Sequence, residues 1–285
     1  MTRDQIRSSA LWRAMLSWRG GLSLGCLMLV ALVAVLAPWV APYAYDIQNL
    51  SATNQAPSHA HWLGTDEFGR DVLSRIIYGA RTSLSVAMAA IGVSVLLGMC
   101  LGAAAAYFGG ALDRAISAVV DLTWSFPEVL IALIFVAILG PGLYSTMIAI
   151  SIAYLAQFSR LTRAQILAIK GETYIEAATS LGGGHLHIVF RHLLPNALTP
   201  VIVAGMLATG DAIILEATLG FFGLGVQPPK PSWGAMMASG TAQIFLAPWT
   251  IIGPGVAIAL AVLSINQFGD ALIEALDIRG KLREA

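Results

Sequence analysis

The sequence has little charge. Asp, Glu, Lys and Arg make up only 11% of its 285 residues, against about a quarter in an ordinary soluble domain. So few charges cannot keep a folded surface of that size in water, which excludes a soluble globular protein, and the same composition excludes disorder and coiled coil. Lysine is scarcer still. Lys170, Lys230 and Lys281 are the only three, and none closes a Gly-x-x-x-x-Gly-Lys-Ser/Thr phosphate loop, so that route to ATP hydrolysis is missing. The two cysteines, Cys26 and Cys100, offer no zinc spacing, no disulfide framework and no catalytic Cys/His pair; they read as small apolar fillers. Sixteen basic residues balance sixteen acidic ones, so net charge offers nothing to a nucleic acid.

What is present is apolar sequence, 57% of the chain with a mean hydropathy of +0.76. Uncharged runs cover residues 20–45, 82–112, 129–159 and 231–269, and residues 198–222 are apolar apart from Asp211 and Glu216. A helix crossing the hydrocarbon needs about 20 apolar residues and satisfies its backbone internally. Gly140-Pro141-Gly142 divides the third run. The reading is an all-α membrane protein with six transmembrane helices, near 21–41, 82–107, 116–139, 143–159, 198–220 and 248–269. The first run exceeds the about 7–15 residues of a signal-peptide core, which favours an uncleaved anchor.

With the amino terminus inside, twelve basic residues fall on the cytoplasmic side: Arg3, Arg7, Arg13, Arg19, Arg114, Arg160, Arg163, Lys170, Arg191, Arg279, Lys281 and Arg283. Four fall opposite, Arg70, Arg75, Arg81 and Lys230, an asymmetry that places both termini in the cytoplasm.

Several segments interrupt the pattern. Between the first two spans, Asp66/Arg70 and Asp71/Arg75 are acid-before-base pairs four apart, with Leu73, Ile76 and Ile77 facing another way. That fits either an amphipathic helix on the membrane surface or a solvated face leading into the second span. His59 and His61 in the same segment read as surface residues; no metal site is expected. Gly98-x-x-x-Gly102 in the second span is suited to close packing of helices. In the third span Arg114, Asp121 and Glu128, each seven apart, share one helix face, and Pro127 should bend the helix. A charge at mid-membrane costs about 2.5–3.5 kcal/mol, so Glu128, Asp211 and Glu216 are candidates for lining a translocation path or meeting a partner subunit. Asp211 and Glu216, five apart, point to different faces, and Glu216 also fits a hydrated place near the outer interface.

Residues 160–197 form a cytoplasmic loop too long for a tight connection. A short helix is expected over Tyr174 to Leu181, stopped by Gly182-Gly183-Gly184. Its Ala177/Ala178 face suits a groove on another protein, although a surface helix without a partner is equally consistent.

Glu176-Ala177-Ala178, Gly182 and Leu194-Pro195 resemble, in spacing, the EAA loop in the membrane subunits of bacterial ATP-binding-cassette importers. His192 stands where that family has Ile, and Gly183-Gly184 where it more often has Ala-Ser. Residues 61–75, 78–84, 191–196, 223–234 and 266–272 extend the likeness, in order, to the C-type permeases of dipeptide, oligopeptide and nickel importers. The resemblance covers about residues 20–280.

It implies a type I importer permease fold in two parts. Residues 1–81 would be an N-terminal tail, first transmembrane helix and extracytoplasmic segment, and residues 82–285 a five-helix core carrying loop 160–197. It implies a heterodimer with a B-type permease, two ATPase subunits that bind ATP and Mg, and an extracytoplasmic substrate-binding protein. The chain itself would be non-catalytic, cofactor-free and embedded in the bacterial inner membrane. Tyr174, Glu176, Ala177, Ala178, Leu181, Gly182, Leu194 and Pro195 would be the ATPase-coupling residues, and the cargo a peptide, with nickel chelates or glutathione as alternatives. Two other classes compete. An ion-coupled secondary transporter would use Glu128, Asp211 and Glu216 but would leave the long polar loop unexplained. A membrane scaffold would make loop mutations silent.

Overall fold

The computed structural model describes residues 15–281, with side chains as far as residue 275. Arg3, Arg7, Arg13 and Arg283, counted above for orientation, lie outside the described residues. The principal helices are α1 (Trp18–Val35), α2 (Val72–Phe108), α3 (Gly110–Trp124), α4 (Glu128–Leu139), α5 (Leu143–Lys170), α6 (Thr173–Ser180), α7 (Leu194–Phe221), α8 (Trp233–Thr241) and α9 (Trp249–Lys281). The 171–193 segment lies at one end of the bundle, called here the loop end, and segments 43–71 and 222–248 cover the far end.

Among the described residues, four helices are long and apolar enough to cross a membrane: Trp18–Val35, Val72–Phe108, His185–Phe221 and Trp249–Ala275. A fifth crossing results if α3 and α4 count as one broken span, bent by 95°. Helix α5 has the length, 28 residues, but not the composition, so the six spans expected from sequence become four or five by this measure. The reason is its position. Thr146, Ser151, Tyr154 and Ser159 of α5 are all buried, so the helix is enclosed by protein and is not obliged to present apolar side chains to lipid. Its polar groups tie it to α2 instead: Ser94 Oγ donates to Ser151 O at 2.8 Å and Ser151 Oγ to Ala90 O at 3.1 Å.

The α2–α5 contact is the centre of the fold. A Cβ placed on Gly98 would come within 2.6 Å of Phe158 Cβ and 2.9 Å of Ser159 N, and one on Gly102 would meet Ser159 O and Arg163 N. Two glycines four apart therefore let the helix backbones touch, as the spacing predicted. Around this seam Val86, Ala87, Ala90, Ile150, Ala153, Phe158, Val201, Ala208 and Ile213 form one buried cluster spanning α2, α5 and α7. Cys26 is half-buried on α1, and Cys100, exposed on α2, fills no space in the bundle.

Pro127 does more than bend the third span. Its ring excludes the carbonyl four residues back, and the chain turns tightly through Ser125 and Phe126, whose amides are taken by Asp121 O and Thr123 O. The single face expected for Arg114, Asp121 and Glu128 is thereby broken: Glu128 opens α4, while Asp121 stays on α3 opposite Arg160 at 3.9 Å.

The segment before α2 also departs from expectation. Residues 43–71 form no surface helix but a looped cap with one turn of 3-10 helix at Leu50–Ala52. Asp66 pairs with Arg70 at 2.7 Å as expected, but within a turn whose amides at Phe68 and Arg70 its other oxygen accepts. Gly69 makes that turn possible: its φ is +68°, and a Cβ there would strike the Asn49 backbone. Asp71 does not pair with Arg75. It caps α2 by accepting from Ser74 N at 2.8 Å and Ser74 Oγ at 2.7 Å, and holds His61 Nδ1 at 2.9 Å. Arg75 reaches Asp66 at 3.5 Å and donates to Tyr45 O at 3.1 Å. Because α2 starts at Val72 and runs unbroken to Phe108, the division at residue 81/82 falls inside a helix.

Gly102→Val is expected to force α2 and α5 apart, costing about 1–3 kcal/mol or more from overpacking. Gly92→Ala, on the same helix with open space around it, should be neutral or slightly stabilising. Thermal unfolding of the detergent-purified protein and its level in membranes measure both.

Candidate functional site

Helix α6 is built as the sequence requires. Glu172 in extended conformation precedes it, and Leu181 ends it. Gly182 then takes φ +84°, its amide donating to Thr179 O and that of Gly183 to Ala178 O, both at 3.0 Å. This paired closure satisfies the last carbonyls and needs a residue without a side-chain penalty at position 182. Gly183 is equally constrained, since a Cβ there would lie 2.7 Å from Ala178 O.

Only Ile175 of α6 is buried; it joins Ala103, Ala106, Ile166, Ile188, Leu193 and Ala197 in a second core at the loop end. Glu176 and Ala177 face outward, Ala178 is half-buried, and Leu181 projects with 88% of its surface exposed. Tyr174 is held from behind, its hydroxyl accepting from Asn196 Nδ2 at 3.0 Å. Leu194 and Pro195 begin α7, which continues without a break from the helical turns before it. The preceding Ile188–Leu193 winds as a π-helix, whose wider turn makes room for the proline ring behind it. His192, at the family's Ile position, lies in that turn and packs edge-on against His187, with ring centroids 5.3 Å apart. One imidazole face thus takes the place of an aliphatic side chain.

The three intramembrane acids separate. Glu216 is fully buried on α7, beside the hydroxyls of Ser83 and Ser232 but outside hydrogen-bonding geometry with either. In this conformation it is 0% exposed and offers no surface to a solute or a subunit. Trp233 is itself 1% exposed, donating its indole N–H to Ile76 O at 3.0 Å and its amide to Ser83 Oγ at 3.3 Å. Asp211, five residues earlier, is exposed on another face, as the helical spacing predicted. Its charge acts on Glu128 of α4 and on Tyr154 of α5, which places the three within electrostatic range of one another. Sequence reasoning had no partner for either acid; a tyrosine inside an otherwise apolar run was the only signal of Tyr154. It also missed the bidentate pair of Arg163 with Asp113, at 2.6 and 2.7 Å, which fixes α3 to α5 near the loop end. No group of three or more metal-ligating side chains occurs among the described residues.

An apolar helical bundle with an outward-facing short helix on a glycine-terminated loop is also the fold of solved ABC transporter chains. Two solved ABC transporter structures illustrate the likeness. The inward-facing MetNI methionine ABC transporter superposes with a TM-score of 0.59 at 19% identity, covering 71% of this chain and 96% of that one. An amino acid ABC transporter with histidines gives 0.55 at 16%, covering 70% and 92%.

The family model described as the binding-protein-dependent transport system inner membrane component matches residues 94–281, and the chain belongs to that family, as a multi-pass protein of the inner membrane. A second model, the N-terminal TM domain of oligopeptide transport permease C, matches residues 11–57. A dipeptide transport system permease protein of Alkalihalophilus pseudofirmus is 44% identical over 88% of this chain and 82% of its own length. Glutathione transport system permease proteins of Pectobacterium atrosepticum and Escherichia coli are each 39% identical, over 93% and 88% of this chain and 89% and 83% of theirs.

Ile175→Ala removes the only buried side chain of α6 and is expected to cost about 2–4 kcal/mol at that site. The loss should be local. Amide exchange across residues 173–180 should accelerate while the thermal midpoint of the bundle stays within a few degrees.

Proposed function

We propose that this chain is the C-type permease subunit of an ATP-driven importer for peptides. It would form half of the translocation path with a B-type permease and couple to two cytoplasmic ATPase subunits. The observation that carries the reading is α6 itself: a Glu-Ala-Ala helix held by one buried side chain, closed by Gly182 in the left-handed region, with Glu176, Ala177 and Leu181 turned outward. A helix exposed in this way and anchored from behind fits a cleft on another protein. Behind it, Tyr174 is tied to Asn196 and Leu194 packs against the small core that Ile175 joins.

In this reading the loop end is cytoplasmic. Arg160, Arg163 and Lys170 of α5 all lie toward it, in keeping with the basic asymmetry of the sequence. Both termini would then be cytoplasmic and α5, enclosed by its neighbours, would be the sixth crossing. ATP and Mg would be bound by the ATPase partners, this chain binding no cofactor, and an extracytoplasmic binding protein would deliver the solute to the far end. Glu128 and Asp211 would line the path or meet the partner permease, and Glu216 would serve packing at the far end. Dipeptides are the cargo favoured by the 44% identical relative; glutathione, itself a tripeptide, is favoured by the two at 39%.

Gly182→Asp is expected to abolish uptake while the protein still reaches the membrane, and to weaken co-purification of the ATPase. Unchanged uptake would overturn the coupling role. In proteoliposomes the chain alone should accumulate no peptide. The complete assembly should accumulate it with ATP and ignore a proton ionophore, the result that excludes an ion-coupled transporter.

A further inference from the structure

We infer that Tyr107, Lys170 and His185 are positioning residues that moor both ends of the α6 loop to the end of α2, so that a displacement of α6 is passed to α2. The inference rests on the coupling role proposed above and adds the route by which movement leaves the loop.

The loop is built on loose joints. Gly171 precedes α6, and Gly182 and Gly184 follow it; all three have open space around them, and α6 buries only Ile175. A push on α6 would be absorbed by rotation at these glycines unless the loop were fastened elsewhere. Besides the Tyr174–Asn196 bond to α7, two fastenings lead to Tyr107, in the last turn of α2. Where the chain enters the loop, the Lys170 ammonium donates to Tyr107 O at 2.7 Å and Ala106 O at 3.1 Å. These are carbonyls that the end of a helix leaves without internal partners, and a cation is favoured there. Where the chain leaves the glycines, the Tyr107 hydroxyl and His185 Nδ1 are hydrogen-bonded at 2.8 Å. The two rings also meet edge to face with centroids 5.6 Å apart. The three residues line a cleft of about 510 Å³ together with Ile175, Glu176 and Thr179 of α6, so the moorings and the coupling helix share one wall.

Helix α2 is suited to carry what it receives. Its 37 residues span about 55 Å at 1.5 Å per residue without a break. Its opposite end holds Asp71, Arg75 and the Ile76 carbonyl that receives the Trp233 indole. Movement at Tyr107 therefore reaches the elements that close the far end, independently of the covalent continuation of the loop into α5 and α7.

The test uses the complete transporter in proteoliposomes, with uptake and ATP hydrolysis measured per assembled complex. Tyr107→Phe, His185→Ala and Lys170→Met should leave ATPase co-purification and hydrolysis near wild type. Uptake per ATP should fall by about fivefold for each, the change that one ordinary hydrogen bond makes in an equilibrium. Lys170→Arg should keep most of the coupling. Y107C/H185C, with Cys26 and Cys100 replaced by Ala, should be uncoupled until a short bismaleimide bridges the pair. Uptake per ATP within twofold of wild type in all three single variants, or a bridged pair that stays uncoupled, would overturn the mooring. Failure of the underlying coupling role looks different: the ATPase would then co-purify with the Gly182→Asp protein at the wild-type level.

Discussion

The bundle depends on two missing side chains. At Gly98 and Gly102 the backbone of α2 lies directly on α5, and nothing larger than hydrogen fits between them. Within a bilayer the lipid is as apolar as the side chains, so helices are held by close van der Waals contact and by hydrogen bonds. Both operate along this seam, where Ser94 and Ser151 exchange hydrogen bonds with the backbone of the facing helix. Once α2 and α5 are locked, α7 packs against both, and α5 becomes an enclosed helix free to carry Tyr154 and several serines.

The two ends of the bundle handle polar groups in opposite ways. At the far end they are sequestered. Asp66, Arg70, Asp71 and Arg75 are each at most 7% exposed and are paired or capped, and Glu216 is fully buried. Such groups are costly to leave unmatched, so the cap over α2 has little freedom to rearrange. At the loop end the polar and apolar groups are displayed instead: Glu176, Leu181, Leu186 and Phe190 all face outward, held by a small core around Ile175 and Ile188. A stiff far end and a displayed, glycine-jointed loop are consistent with the coupling role proposed above.

Much of this was legible in the residues. Periodic apolar runs disclosed the helices, the Gly-x-x-x-Gly spacing disclosed a packing seam, and a triple glycine after Glu-Ala-Ala disclosed where α6 ends. Two of the misreadings share one cause. Spacings along the chain were treated as positions on a helix where the backbone was not helical. Asp71 and Arg75 are four apart, yet Asp71 caps α2 and therefore turns its carboxylate toward the helix amides, away from Arg75. Arg114, Asp121 and Glu128 share a face only on a continuous helix, and Pro127 removes that continuity.

Sequence by itself determined the class of protein, the helical segments and the local stop at Gly182, because hydropathy, periodicity and left-handed backbone preferences act over a few neighbouring residues. Tertiary structure alone decided which polar residues meet. Arg163 reaches Asp113, His185 reaches Tyr107 across 78 positions of chain, and Glu128 comes within electrostatic range of Asp211. Those meetings are set by helix packing, and no local property of an acid or a ring records which helix will come to lie beside it.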